Sequence, residues 1–83
     1  MPAVCVLYFA GLRDAVGISE ERVELPAGPF TVGDLASQVA ARHGAYARAR
    51  SHVRIARNEA FAAEDEFLSD GDIVAFIPPV AGG

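Results

Sequence analysis

Few residues in this chain could do chemistry, and the pattern with most to offer is its closing stretch, "FIPPVAGG", residues 76–83. Glycine at Gly82 and Gly83 leaves no Cβ to obstruct threading through a narrow channel, and it lets a host protein grip the backbone closely. It also leaves the terminal carbonyl carbon unhindered. A free carboxylate is a poor electrophile and needs activation. Acyl adenylation is a general route, and sulfur could then displace AMP to leave a thiocarboxylate, a nucleophilic sulfur carried on a protein. Pro78 and Pro79 withdraw two backbone donors and fix φ near −65°, so strand pairing must stop there, while Ile77 before them is biased to an extended conformation. Residues 78–83, fully extended, reach roughly 20 Å at ~3.3 Å per residue. The chain therefore divides into a folded body over residues 1–77 and an extended tail over 78–83. Glycine-rich ends are often merely frayed. What sets this one apart is its place directly after an apolar strand and its stiffening by Pro-Pro.

The remaining candidates are weaker. Cys5 is the only cysteine, which excludes an internal disulfide and a thiolate metal cluster; it reads as a small buried hydrophobe of the core. His43 near a helix end and His52 at a strand start show no partners in the sequence around them, and neither is assigned a catalytic role. The acidic "EDE" at residues 64–66 reads as a solvated loop. All seven basic residues are arginines. Compositional bias in an alanine-rich chain accounts for this; the other reading is that an activated carboxyl benefits from having no side-chain amine nearby. Without lysine there is no Walker-type phosphate loop. The chain is expected to bind no cofactor or metal, any ATP being used by an activating partner, and to have no turnover alone.

Eighty-three residues make one domain, with only roughly 60–65% of the unfolded surface available for burial. A composition of 52% hydrophobic and 22% charged residues is globular. The net charge of −4, with acids and arginines interspersed, gives no basic stripe, so neither nucleic acid nor a membrane is expected as a partner. The apolar opening at residues 3–12 is about half of the ~20 residues a membrane-spanning helix needs, and no basic residues precede it as in a signal peptide. A cytoplasmic location is expected.

These elements must position the tail. The unbroken apolar run 3–9 reads as a strand covered on both faces, and residues 10–17 as a helical turn ended by Gly17. "ERVEL", 21–25, alternates as an edge strand does. Thr31 and Asp34 form a capping box opening the main helix, whose apolar stripe is Val32, Leu35, Ala36, Val39 and Ala40, with Gly44 placed as its C-terminal cap. A brief helical turn follows at 45–51. Residues 52–56 form a strand, Asn58-Glu59 a turn, and 60–62 a short strand. Gly71 supplies a positive φ in the turn "SDGD", and 73–77 is the last strand. The most apolar strands are the first and last, and such strands lie in the middle of a sheet. Hairpin, helical crossover and further strands then describe an α+β fold of β-grasp, ubiquitin-like type: a mixed sheet on one main helix.

Side-chain parity sorts the two central strands into a face with Val4, Val6, Tyr8, Val74 and Phe76, and a face with Cys5, Leu7, Phe9, Ala75 and Ile77. One helix covers one face. The other is left as an apolar patch beside the tail, the usual mark of a protein interface, although loops could close it into a second small core.

"VLYFAGLRDAVG", "RNEAF" and "LSDGDIVAFIPPVAGG" together resemble the small, sulfur-carrier subunit of molybdopterin synthase, over nearly the whole chain. The resemblance implies that Gly83, preceded by Gly82, is adenylated by an ATP-dependent ubiquitin-activating-type adenylyltransferase. A sulfur donor enzyme would convert it to a thiocarboxylate. It implies further that the tail, residues Pro78, Pro79, Val80, Ala81, Gly82 and Gly83, enters a pocket of a larger catalytic subunit, in a heterotetramer with two copies of each. Sulfur then passes to cyclic pyranopterin monophosphate in molybdenum cofactor biosynthesis. Phe9, Phe61 and Ile77 are the implied docking patch, with Arg13 a candidate to pair with an acidic partner group. Three readings stay beside this one: a carrier for thiamine or another thio-compound, a ubiquitin-like protein modifier, and a β-grasp interaction module with an incidental Gly-Gly.

Overall fold

A computed structural model describes residues 1–79 of the protein. Strand β1 (Ala3–Tyr8) is followed by helix α1 (Ala10–Val16), β2 (Glu20–Glu24), α2 (Val32–Arg42), α3 (Gly44–Ala49), a 3₁₀ turn (Arg50–His52), β3 (Arg54–Arg57), β4 (Ala60–Phe61) and β5 (Ile73–Ile77). Among the described residues the strands form one sheet in the order β2-β1-β5-β3-β4. The first and last strands are central and parallel, with Cys5 opposite Ile73 and Tyr8 opposite Phe76. β2 pairs antiparallel with β1, and β3 antiparallel with both β5 and β4. This is the β-grasp arrangement expected from the apolar character of the two terminal strands.

Alternation in β1 and β5 aims Val4, Val6, Tyr8, Val74 and Phe76 at the helical layer, where Val32, Leu35, Ala36 and Val39 of α2 and Tyr46 of α3 meet them; all of these are buried. Tyr46 stands edge-on to Phe76 at a centroid distance of 4.9 Å. The capping box is complete: Asp34 N donates to Thr31 Oγ1 at 3.1 Å, and Thr31 N to the Asp34 carboxylate at 3.0 Å. Gly17 ends α1 at φ 94°, and Gly71 turns into β5 at φ 87°. Both positions need the left-handed region that glycine reaches without strain.

Several local expectations need correction. β1 stops at Tyr8, because Phe9 leaves the sheet as the extended N-cap of α1. Gly44 does not cap α2. His43 ends that helix in an extended conformation (φ −128°, ψ 100°), and Gly44 opens α3. The strand expected at 52–56 runs from Arg54 to Arg57, the 3₁₀ turn having taken His52. The acidic loop is more than a solvated one. The carbonyls of Glu66 and Glu64 accept from Val32 N and Gly33 N at 2.9 Å each, satisfying donors that the first turn of α2 leaves unpaired.

Candidate functional site

The face of the sheet away from the helices is open. It carries Leu7, Ala75 and Ile77 in the centre, with Phe9, Phe61 and Ile73 around them, and encloses a shallow groove of about 600 Å³. Phe61 is 61% exposed, Ile73 48% and Phe9 44%, which excludes a second core under loops among the described residues. Phe9 owes its place to the end of β1: the left-handed Ala10 (φ 51°) starts α1, and Leu12 N and Arg13 N both donate to the Phe9 carbonyl. Phe61 sits on the short β4, held by the Asn58-Glu59 turn with both φ positive (51° and 73°), as a two-residue hairpin turn requires.

That turn is fixed from below by Asp72. Its carboxylate accepts from Arg57 Nε at 2.8 Å, Asn58 Nδ2 at 2.9 Å and Ser69 N at 2.7 Å, and Asn58 Oδ1 accepts from Ile73 N. Burial alone would push the Asp72 pKa up; the hydrogen bonds from Asn58, Arg57 and Ser69 hold it below the usual carboxylate value. The "DGD" turn thus locks the β3–β4 hairpin to the start of β5.

Phe9, Phe61 and Ile77, expected to act together, line the one groove. Pro78 and Pro79 join Phe9 and Ile77 in a second groove of about 500 Å³, bordered by the small residues of α1 and α3. The root of the tail is therefore continuous with the open face. Arg13 lines neither groove; it is half exposed on α1, with Nε 3.9 Å from Asp14. Val80, Ala81, Gly82 and Gly83 lie outside the described residues.

Cys5 is not core. It is half-buried on the face opposite the helices, its Sγ donating to Glu20 Oε2 at 3.5 Å, and burial followed by the Glu20 hydrogen bond and charge push its pKa up, so it stays a thiol. His43 does have a partner. Its Nε2 lies 2.7 Å from Glu21 Oε2, in a cluster where the same carboxylate accepts from Tyr8 Oη and from Arg42 at 3.1 Å. A contact 22 residues away in sequence leaves no local pattern. Among the described residues no group of three His, Cys, Asp or Glu could hold a metal ion, and no helix is long and apolar enough to cross a membrane. Arg54 was not foreseen at this face. Its guanidinium lies 4.0 Å over the Phe61 ring, and the alternation of "HVRIA" was the signal that placed it on the side of Ala56.

Residues 6–83 match the ThiS family. The chain belongs to the ThiS family. It is 42% identical over 87 residues to the molybdopterin synthase sulfur carrier subunit of Mycobacterium tuberculosis, covering 100% of both chains, and 40% identical over 80 residues to that of Chlamydomonas reinhardtii, covering 94% of this chain and 95% of the relative. Among solved structures, the small archaeal modifier protein SAMP1 of Haloferax volcanii superposes with a TM-score of 0.86 at 31% identity, over 98% of this chain and 99% of that one. A chain of the BexX/CysO complex of Amycolatopsis orientalis superposes with a TM-score of 0.69 at 29% identity, over 98% of this chain and 100% of that one. The β-grasp fold of this ThiS-family chain is shared with the ubiquitin of Caldiarchaeum subterraneum, on which it superposes with a TM-score of 0.66 at 19% identity, over 99% of this chain and 98% of that one.

Proposed function

We propose that the protein is the sulfur-carrier subunit of molybdopterin synthase. The observation that carries this reading is the likeness, over the full length of both chains, to a relative of that name, in a chain whose parallel central strand runs straight into Pro78-Pro79 and Gly82-Gly83. Gly83 is the reacting residue: its carboxylate attacks the α-phosphate of ATP on a ubiquitin-activating-type adenylyltransferase, releasing pyrophosphate. A sulfur donor enzyme then supplies sulfur at the sulfide level, which attacks the acyl carbon, displaces AMP and leaves the thiocarboxylate. ATP belongs to the activating partner and not to this chain.

The catalytic work falls to a large subunit, in an assembly with two copies of each chain. Phe9, Phe61 and Ile77 dock on it, and residues 78–83 deliver the sulfur to cyclic pyranopterin monophosphate. Each transfer gives up one sulfur, and water attacks the acyl carbon to return a carboxylate, so a dithiolene consumes two thiocarboxylated carriers and two waters. The superposition on a chain from a two-protein complex supports such a partner. Removing Gly83, or adding one residue after it, tests the assignment. Both variants are expected to melt like the wild type and to lose all sulfur transfer in the reconstituted synthase; retained transfer would refute the role of Gly83. A second reading, attachment to protein amines, is favoured only by the superposition on a small archaeal modifier protein.

A further inference from the structure

We propose that Arg54 is the specificity-determining cation of the open face, and that the partner surface seated there presents a carboxylate to it. The inference rests on the reading of this face as the docking site of a large subunit, and it names the chemistry of that partner.

β3 carries two arginines with different fates. Arg57 is spent inside the fold, its Nε 2.8 Å from Asp72 and a terminal nitrogen 3.9 Å from Glu66, with 29% of its side chain exposed. Arg54 is exposed on the opposite side of the strand, and no carboxylate among the described residues lies within ion-pair distance of it. Its guanidinium instead lies over the Phe61 ring, 4.0 Å from the centroid. A guanidinium placed over a ring makes contact through its face and keeps its N–H edges for a planar, bidentate carboxylate. Arginine and an exposed aromatic ring beside an apolar groove are also the residue types that dominate protein interfaces.

Position adds direction. Arg54 stands opposite Ile77 in the β3–β5 register, one residue before the tail begins, in a recess beside the groove that it shares with Phe61 and Glu64, while Glu59 lines the groove itself at the hairpin turn. The guanidinium of Arg54 on the tail side and the carboxylate of Glu59 at the hairpin thus carry opposite charge, and Glu64 beside Arg54 is engaged by Arg50 at 3.7 Å. A partner with its acid on the tail side matches them, and the reversed orientation sets acid against Glu59. In a chain of net charge −4, a cation at the tail root without an ion-pair partner among the described residues is also the local exception that steers an acidic group there.

The test is a calorimetric titration of wild type, Arg54→Gln, Arg54→Lys and Arg48→Gln against the molybdopterin synthase large subunit encoded in the same genome, at low and high salt. Arg48 is an exposed arginine of α3 outside the groove and controls for net charge. Arg54→Gln is expected to bind roughly tenfold more weakly at low salt and to lose much of the salt dependence, with an unchanged melting curve. Arg54→Lys should recover part of the loss, and Arg48→Gln should match wild type. Equal binding by wild type and Arg54→Gln would overturn the proposal while leaving the sulfur-carrier reading intact, as would equal weakening by Arg54→Gln and Arg48→Gln. A wild-type chain that does not bind the large subunit would overturn the docking reading and this inference with it.

Discussion

Asp72 and Glu21 each tie several distant segments together through three side-chain or backbone donors, and both are held in the charged form by their neighbours. Asp72 joins β3, the "SDGD" turn and β5; Glu21 joins β1, β2 and the α2–α3 junction through Tyr8, Arg42 and His43. In each, burial opposes ionisation, but the hydrogen bonds outweigh it and the pKa falls below the usual value. A folded-state pKa below the unfolded one contributes stability above the unfolded value, about pH 4, and that contribution is lost as the pH falls through the folded pKa. Asp72→Asn should therefore cost about 1–3 kcal/mol near neutrality, since it removes the closer of the two carboxylates beside the Arg57 guanidinium, 2.8 Å away against 3.9 Å for Glu66. The difference from wild type should shrink as the pH is lowered towards about 3. Urea unfolding of both proteins across that range checks it; a pH-independent difference would show that the side-chain shape, and not the charge, holds the hairpin.

At the scale of elements, α2 shows what a sequence displays and what it hides. Its N-terminus was legible because a capping box is local: Thr31 and Asp34 are three residues apart and the apolar stripe starts at once. Thr31→Ala should cost about 1 kcal/mol in chemical denaturation, with no change in the assembled fold. Its C-terminus was not legible. Gly44 looked like a cap, but the chain is turned at His43, whose ring is held by Glu21 on another element. The same distinction separates Gly17 and Gly71, correctly placed in tight turns, from the acidic 64–66 loop, whose backbone contacts with α2 join segments far apart in the sequence. Local chemistry is printed in the sequence, whereas contacts between elements follow only once the topology is known.

At the scale of the molecule, the continuous apolar character of the first and last strands was enough to place both in the centre of the sheet, and parity then divided helix-covered from open residues. Phe9, Phe61 and Ile77 came together on that open face as expected. Arg54 and Ile73 were overlooked, although the same alternation along β3 and β5 reaches them. The architecture gives the tail a stiff origin: the chain leaves a central strand at Ile77, and Pro78-Pro79 lie against the groove that continues the open face. A fold with one helix-covered face and one open face is suited to deliver that tail while another protein supplies the catalysis. The most direct test is the intact mass of the protein after incubation with ATP, a sulfur source and its ubiquitin-activating-type partner. A gain equal to one oxygen exchanged for sulfur, mapped to Gly83, is the predicted result; an unchanged mass with a demonstrably active partner would contradict the sulfur-carrier account.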